Sequence, residues 1–113
     1  MKDEMKMGKG VFSFGHQLAE KFGFTEDKFD GWLGKKGHYI YISFIISKQE
    51  GKGNLSRLFD EILKAGYGIK VPTPFAHMMS ICVKKGFKRT FEYSQDFREH
   101  VEVWVKEGSV KCS

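Results

Sequence analysis

Residues 38–54 read HYIYISFIISKQEGKGN. From His38 to Ser47 the side chains alternate and are rich in Ile, Tyr and Phe, the pattern of a buried or half-buried strand. Tyr39, Tyr41 and Ser43 fall on one face; Ile40, Ile42 and Phe44 fall on the other and read as core. Lys48 to Gly53 is a loop with two glycines. Asn54 has the side chain of a helix N-cap. Leu55, Leu58, Phe59, Ile62 and Leu63 then recur at the spacing of one apolar helical stripe. Lys64 and Gly66 suit the helix end. The unit is strand, glycine-containing loop, helix.

Such a unit has chemical content. A helix start leaves backbone N–H groups without intrahelical partners, and the helix dipole adds partial positive charge there. Gly51 and Gly53 let the backbone approach a bulky anion, and Lys48 and Lys52 add charge. Together they describe a phosphate cradle. Equally, the glycines serve an ordinary strand-to-helix turn. The spacing is that of neither GxGxxG nor GxxxxGK[ST], so no dinucleotide fold or P-loop is indicated.

The chain of 113 residues carries a net charge of +5, which suits an anionic ligand, a nucleic acid or an acidic partner. It reads as a flexible tail over residues 1–10 and a single domain over 11–113. Residues 1–10 show no apolar signal-peptide core, and no apolar run approaches the roughly 18 residues of a membrane span. Cys82 and Cys112 lack metal-ligand spacing and read as free thiols of a cytoplasmic protein, and no metal site is expected.

Val11 to Phe14 reads as a short strand or a helix approach, and His16 to Phe22 as a short helix stopped by Gly23. Thr25 followed by Glu26 and Asp27 resembles a helix start, with Phe29, Trp32 and Leu33 as its buried face. The other reading makes Phe29 to Leu33 a strand joined through GKKG, residues 34–37, to the strand at His38; the acids favour the helix. Phe29 and Trp32 are expected in the core rather than over a pocket. Beyond the central helix, Tyr67 to Val71 is a short strand, parallel to the first by the crossover rule. Thr73 and Pro74 read as N-cap and first helical position of a helix over Phe75 to Lys85, closed by Gly86 and Phe87. Lys88–Tyr93 and His100–Lys106 alternate as a hairpin. The expected fold is α/β, a mixed sheet flanked by helices.

The block over residues 38–106 resembles the core of the GNAT superfamily of N-acetyltransferases. That family follows a long strand with a pyrophosphate loop, [R/Q]xxGx[G/A], matched by Lys48-Gln49-Glu50-Gly51-Lys52-Gly53. A second signature, a helix ending like YEKLGF, corresponds to Cys82-Val83-Lys84-Lys85-Gly86-Phe87. The resemblance implies a mostly antiparallel sheet, with a reduced N-terminal part for lack of chain. It implies acetyl-CoA as co-substrate and direct acetyl transfer to an amine of a small molecule or protein. The family splays two parallel strands apart around the pantetheine arm; by position these are Tyr41–Ser47 and Ile69–Val71. Backbone groups of Ile45, Ile46 and Ser47 would pair with the pantetheine. Lys48, Gln49 and the amides of Gly51, Lys52, Gly53 and Asn54 would hold the pyrophosphate. Many members place a Tyr four residues before the Gly of the closing Gly-Phe pair, as acid for the CoA sulfur; here it is Cys82, either that acid or a core residue. The strand lacks an Asp or Glu base, leaving Tyr41 to orient substrate and His77 as the best-placed titrating group. Two further readings are a non-enzymatic module that kept the fold, and a Mom-like protein modifying a nucleic-acid base. A reduced core also exposes a sheet edge through which a homodimer would pair.

Overall fold

The computed structural model describes residues 10–49, 52–74, 76–95 and 97–108. Residues 1–9 of the tail expected over 1–10, and Cys112, lie outside them. The chain forms β1 (Val11–Phe12), α1 (Gln17–Phe22), β2 (Phe29–Lys36), β3 (Tyr39–Ser47), α2 (Asn54–Lys64), β4 (Gly68–Pro72), α3 (His77–Lys84), β5 (Lys88–Ser94) and β6 (Glu99–Lys106). One mixed sheet holds the strands in the order β1-β2-β3-β4-β6-β5. Only β3 and β4 are parallel; the other four neighbouring pairs are antiparallel. No described helix is long and apolar enough to cross a membrane.

Three glycines end the helices. Gly23, Gly66 and Gly86 have φ of 81°, 99° and 79°. The residues after them donate back into the last turn: Phe24 N to Ala19 O at 2.8 Å, Tyr67 N to Ile62 O at 3.3 Å and Phe87 N to Cys82 O at 3.0 Å. This is the Schellman closure, which uses carbonyls the helix cannot satisfy. Each returning residue is apolar: Phe24 and Phe87 are buried, and Tyr67 packs against the core.

Register sorts the side chains between the two faces. Phe29, Leu33, Ile40, Ile42, Ile69 and Val71 join one core with Phe22 of α1, Leu58, Phe59 and Ile62 of α2, and Ile81 and Cys82 of α3. Asp60 of α2 accepts from Lys85 at 2.6 Å, tying α2 to the end of α3 on that same side. Trp32, Tyr41, Phe44, Ile46, Lys70 and Glu92 occupy the other face, judged by their register partners and contacts.

Five expectations are corrected. Phe29 to Leu33 is strand, not helix. The turn at Thr25 closes once, with Lys28 N and Phe29 N donating to Thr25 O, and goes no further. β2 then pairs with β3 through a two-residue turn whose first residue, Gly37, has φ 63°, as a type II′ turn requires. Phe44 is not core. Trp32 pairs with Phe44 but Gly34 with Tyr41, so Leu33 faces two residues, Ile42 and Ser43. This bulge in β3 adds one residue and exchanges the faces beyond it. Ile45 turns to the core, while Phe44 is exposed and lies 4.7 Å, ring to ring, from an equally exposed Trp32. Trp32 therefore leaves the core that Phe29 enters. Asn54 does not cap α2; Gly53 does, with φ 76°, and Asn54 is the first helical residue. The last helix begins at His77, after Ala76 at φ 54°, so Thr73 is no cap and itself has φ 42°.

Candidate functional site

The parallel ladder between β3 and β4 has three pairs, Tyr39 with Gly68, Ile40 with Ile69 and Tyr41 with Lys70. Both strands continue, β3 to Ser47 and β4 to Pro72, without further pairing to each other. A cavity of about 670 Å³ fills the gap. Its wall on the β3 side runs from Ile42 to Ser47, and its far wall is Val71 to Pro74 with Ala76, His77 and Met78 of α3. Gln49, Gly53, Asn54 and Leu55 form its end, where α2 begins.

The start of α2 is held by side chains. Asn54 is buried; its Nδ2 donates to Gln49 Oε1 at 3.2 Å, and its Oδ1 accepts from Arg57 at 2.8 Å. Arg57 also donates to Lys52 O at 3.1 Å. The first α2 bond closes from Arg57 N to Gly53 O, which leaves the amides of Asn54, Leu55 and Ser56 without an intrahelical acceptor. The cavity therefore ends at a helix N-terminus with a guanidinium fixed beside it, a combination that favours anions.

The far wall is strained. Thr73 and Ala76 are non-glycine residues at positive φ, each costing on the order of 1–3 kcal/mol, at the rim of a cavity. Thr73 N donates to Glu102 O at 2.8 Å, which holds the first of them in place. Pro74 between them is buried.

Ile45, Ile46, Ser47, Gln49, Gly53, Asn54 and His77 all line the cavity. Lys48 does not: its Nζ donates to Glu26 O at 2.9 Å and its N to Lys28 O at 2.7 Å, which turns it toward the loop before β2. Lys52 is exposed and contributes its carbonyl to Arg57 rather than a charge to the cavity. Gly51 lies outside the described residues. Tyr41 sits where the parallel ladder ends; its hydroxyl donates to Glu92 at 3.4 Å. Cys82 is fully buried in the core, and burial alone pushes its thiol up to about 11 from 9.0. Among the described residues no cluster of potential metal ligands occurs.

Arg57, Met78 as a lining residue and the strain at Thr73 and Ala76 are absent from the sequence reading. Arg57 is recognisable only as the fourth residue after Gly53, one turn along the helix. The rim follows from the Pro-Thr-Pro string, whose two prolines fix the chain path without revealing the positive φ of Thr73.

No family model matches this chain, and searches of curated proteins and of solved structures find no match either.

Proposed function

We propose that the protein is a compact GNAT-type N-acetyltransferase that binds acetyl-CoA in the gap between β3 and β4. The observation that carries this is the parallel pair that stops after three residue pairs, with a cavity between the continuing strands and a helix start at its end. In the sequence, the loop motif at residues 48–53 follows β3 and the Cys82–Phe87 motif closes α3, the chain order that the resemblance implies.

The residues present fit the ligand. The edge of β3 beyond Tyr41 is unpaired toward β4, so its backbone groups can take an extended amide-bearing arm as an added strand. Ile42, Ile45, Leu55, Val71 and Met78 give that arm apolar walls. The first amides of α2, with Arg57, suit the pyrophosphate. When bound, acetyl-CoA supplies an acetyl group activated as a thioester. The chain's share of the chemistry is alignment, exclusion of water by the apolar walls, and proton movement. His77 is the imidazole among the lining residues and the side chain there best able to carry a proton. Cys82 is too deeply packed to reach the cavity.

The burial of Cys82 favours a second reading. With no acid in the position where many relatives of the motif keep a tyrosine, the same cleft serves a module that binds acyl-CoA without transferring the acyl group.

Isothermal titration with acetyl-CoA, CoA and dephospho-CoA tests both. Micromolar binding by the wild type, weakened about tenfold in Arg57→Glu, supports the cleft assignment, since a charge-assisted contact is worth about 1.5–3 kcal/mol. Absence of binding overturns it. Binding with no thiol released in the presence of a broad panel of amines supports the module.

A further inference from the structure

A second cavity, of about 320 Å³, opens beside the first. Val11, Trp32, Gly34, Lys36, Tyr41 and Ser43 line it. Ser43 borders both cavities, and it is one of the two bulge residues of β3. Both cavities therefore reach the point where β3 changes face.

The geometry points to this second cavity as the acceptor pocket of the proposed transferase, and to a primary amine that bears a carboxylate on an aromatic or apolar body as its occupant. The inference rests on the reading of the first cavity as the acyl-CoA cleft. Its volume is at the small end of ligand pockets, the size for an amino-acid-like molecule. The Trp32 and Tyr41 rings wall it, which suits a flat or apolar body. Residue 34 in its wall is glycine. A Cβ there would stand 3.5 Å from Tyr41 Cβ, in ordinary contact, and a longer side chain would occupy the space.

The charge selects the anion. Lys70 is committed to Glu92 at 2.7 Å, and Lys35 donates to Gly37 O at 3.1 Å. Lys36 lies 5.8 Å from the Tyr41 ring centre, and among the described residues no carboxylate is within ion-pairing distance of it. A pocket with such a cation at its edge disfavours polyamines and attracts a carboxylate. With the carboxylate at Lys36, the amine end is free to reach Ser43 and the first cavity. In the step that follows, the ammonium first gives a proton to solvent. The nitrogen lone pair then forms the C–N bond to the acetyl carbonyl carbon as the C–S bond breaks. The second amine proton is lost and sulfur takes one up, so the products are an amide, a thiol and one released proton.

The test is acetyl transfer, followed as thiol release, with tryptophan, phenylalanine and tyrosine beside their decarboxylated counterparts tryptamine, phenethylamine and tyramine. Acetyl-CoA affinity is measured by titration on every variant. The expected result is turnover of the carboxylate-bearing amines with KM about tenfold below that of the decarboxylated ones. Gly34→Leu should abolish turnover with acetyl-CoA affinity unchanged. Lys36→Met should raise KM for the amino acids and leave that for tryptamine alone, a split that keeps the proposal testable should Gly34→Leu not fold. Acetyl-CoA binding without turnover of any of these amines overturns the proposal, as does equal KM across each pair or a fully active Gly34→Leu protein. Failure of the wild type to bind acetyl-CoA would instead overturn the reading of the first cavity, and this proposal with it.

Discussion

Along one edge β3 pairs with β2 over seven residue pairs, from Tyr39 to Ser47; along the other it pairs with β4 over three, from Tyr39 to Tyr41. The same nine residues are thus paired along their length on one side and largely free on the other. On the β2 side the neighbouring side chains Phe29 and Leu33 are buried. The unpaired edge borders the cavity and carries half-buried or exposed ones, Ile45, Ile46 and Ser47. A strand that stops pairing leaves backbone groups to be satisfied by something else, water or ligand. The bulge at Ile42–Ser43 sits where the two edges diverge.

The largest effect should come from closing the approach of β2 to the bulged strand. Gly31 has φ 112°, and a Cβ there would lie 2.1 Å from the backbone oxygen of Phe44. Neither atom set can swing aside, since both are main chain. Gly31→Ala should therefore cost about 4 kcal/mol or more, a large part of the roughly 5–15 kcal/mol of an ordinary domain. Circular dichroism and urea midpoints check it; a midpoint unchanged from wild type would mean that the two strands are not held this close.

The comparison can next be sharpened with a pair of truncations, one on each side. Phe29→Ala removes a fully buried ring on the paired side and should cost about 3–5 kcal/mol. Ile46→Ala, at an exposed position of the unpaired edge, should cost less than about 1 kcal/mol. If the cleft holds acyl-CoA, Ile46→Ala should instead show its effect in acetyl-CoA affinity. Equal losses of stability for the two would show that the two edges do not differ as the pairing implies.

Much of the division was legible in residues 38–66. The strand, the loop, the stripe from Leu55 to Leu63 and the closing Gly66 are local patterns, set by side-chain period and by glycine's access to positive φ. The bulge was not. Alternation along β3 holds to Phe44 and then gives way to three consecutive apolar residues, Phe44, Ile45 and Ile46, which leaves open which of them faces the core; only pairing with Leu33 reveals the extra residue that exposes Phe44. β2 was misread because Phe29, Trp32 and Leu33 fall at helical spacing; pairing with β3 overrode that local preference. The places of Ile45, Ile46, Ser47 and Gly53 along the cavity were readable because they follow from chain position. Lys48 was not, because a long side chain chooses among acceptors by tertiary placement, and here it found Glu26 O. Thr25 and Asp27 show the same point. Their local hydrogen bond, Thr25 Oγ1 to Asp27 Oδ1 at 2.6 Å, holds that carboxyl below its usual range but supports a single turn, not a helix.

A smaller effect, of about 3 kcal/mol at most, tests the packed side through pH. The Cys82 thiol rises from 9.0 to about 11 because burial disfavours the thiolate. Its folded value lies above its unfolded one. Its contribution is therefore fully present below pH 9 and lost as pH rises through 11. In a Cys112→Ser background, the urea midpoint should fall more steeply over that window than it does in Cys82→Ala. Native protein at pH 8 should resist iodoacetamide at Cys82, whereas unfolded protein reacts. Rapid native alkylation would place this thiol outside the core and reopen its role as the acid for the CoA sulfur.

The smallest effect lies where the two edges of β3 begin to differ. Lys70 is the last residue of β4 paired with β3. Its Nζ is 2.7 Å from Glu92 Oε2, 4.4 Å from the Tyr39 ring centre and 5.6 Å from that of Tyr41. Burial pulls its pKa down, but the hydrogen bond to Glu92 and the Tyr41 contact outweigh burial, and the ammonium is held above its usual value. The group clamps β3, β4 and β5 together at the closed end of the cleft. Lys70 and Glu92 side chains are 18% and 32% exposed, so the pair is only partly desolvated and is worth about 1 kcal/mol rather than the several of a deeply buried pair. Lys70→Met keeps the apolar stem and should lower Tm by about 4 °C. A double-mutant cycle with Glu92→Gln should give a coupling of about 1 kcal/mol. The reading also predicts where the loss appears: amides of Ile42–Ser47 facing the cleft should exchange faster in Lys70→Met, while those bonded to β2 stay protected. Additive single mutants, or exchange raised equally on both edges, would mean that the ladder ends after Tyr41 without help from this clamp.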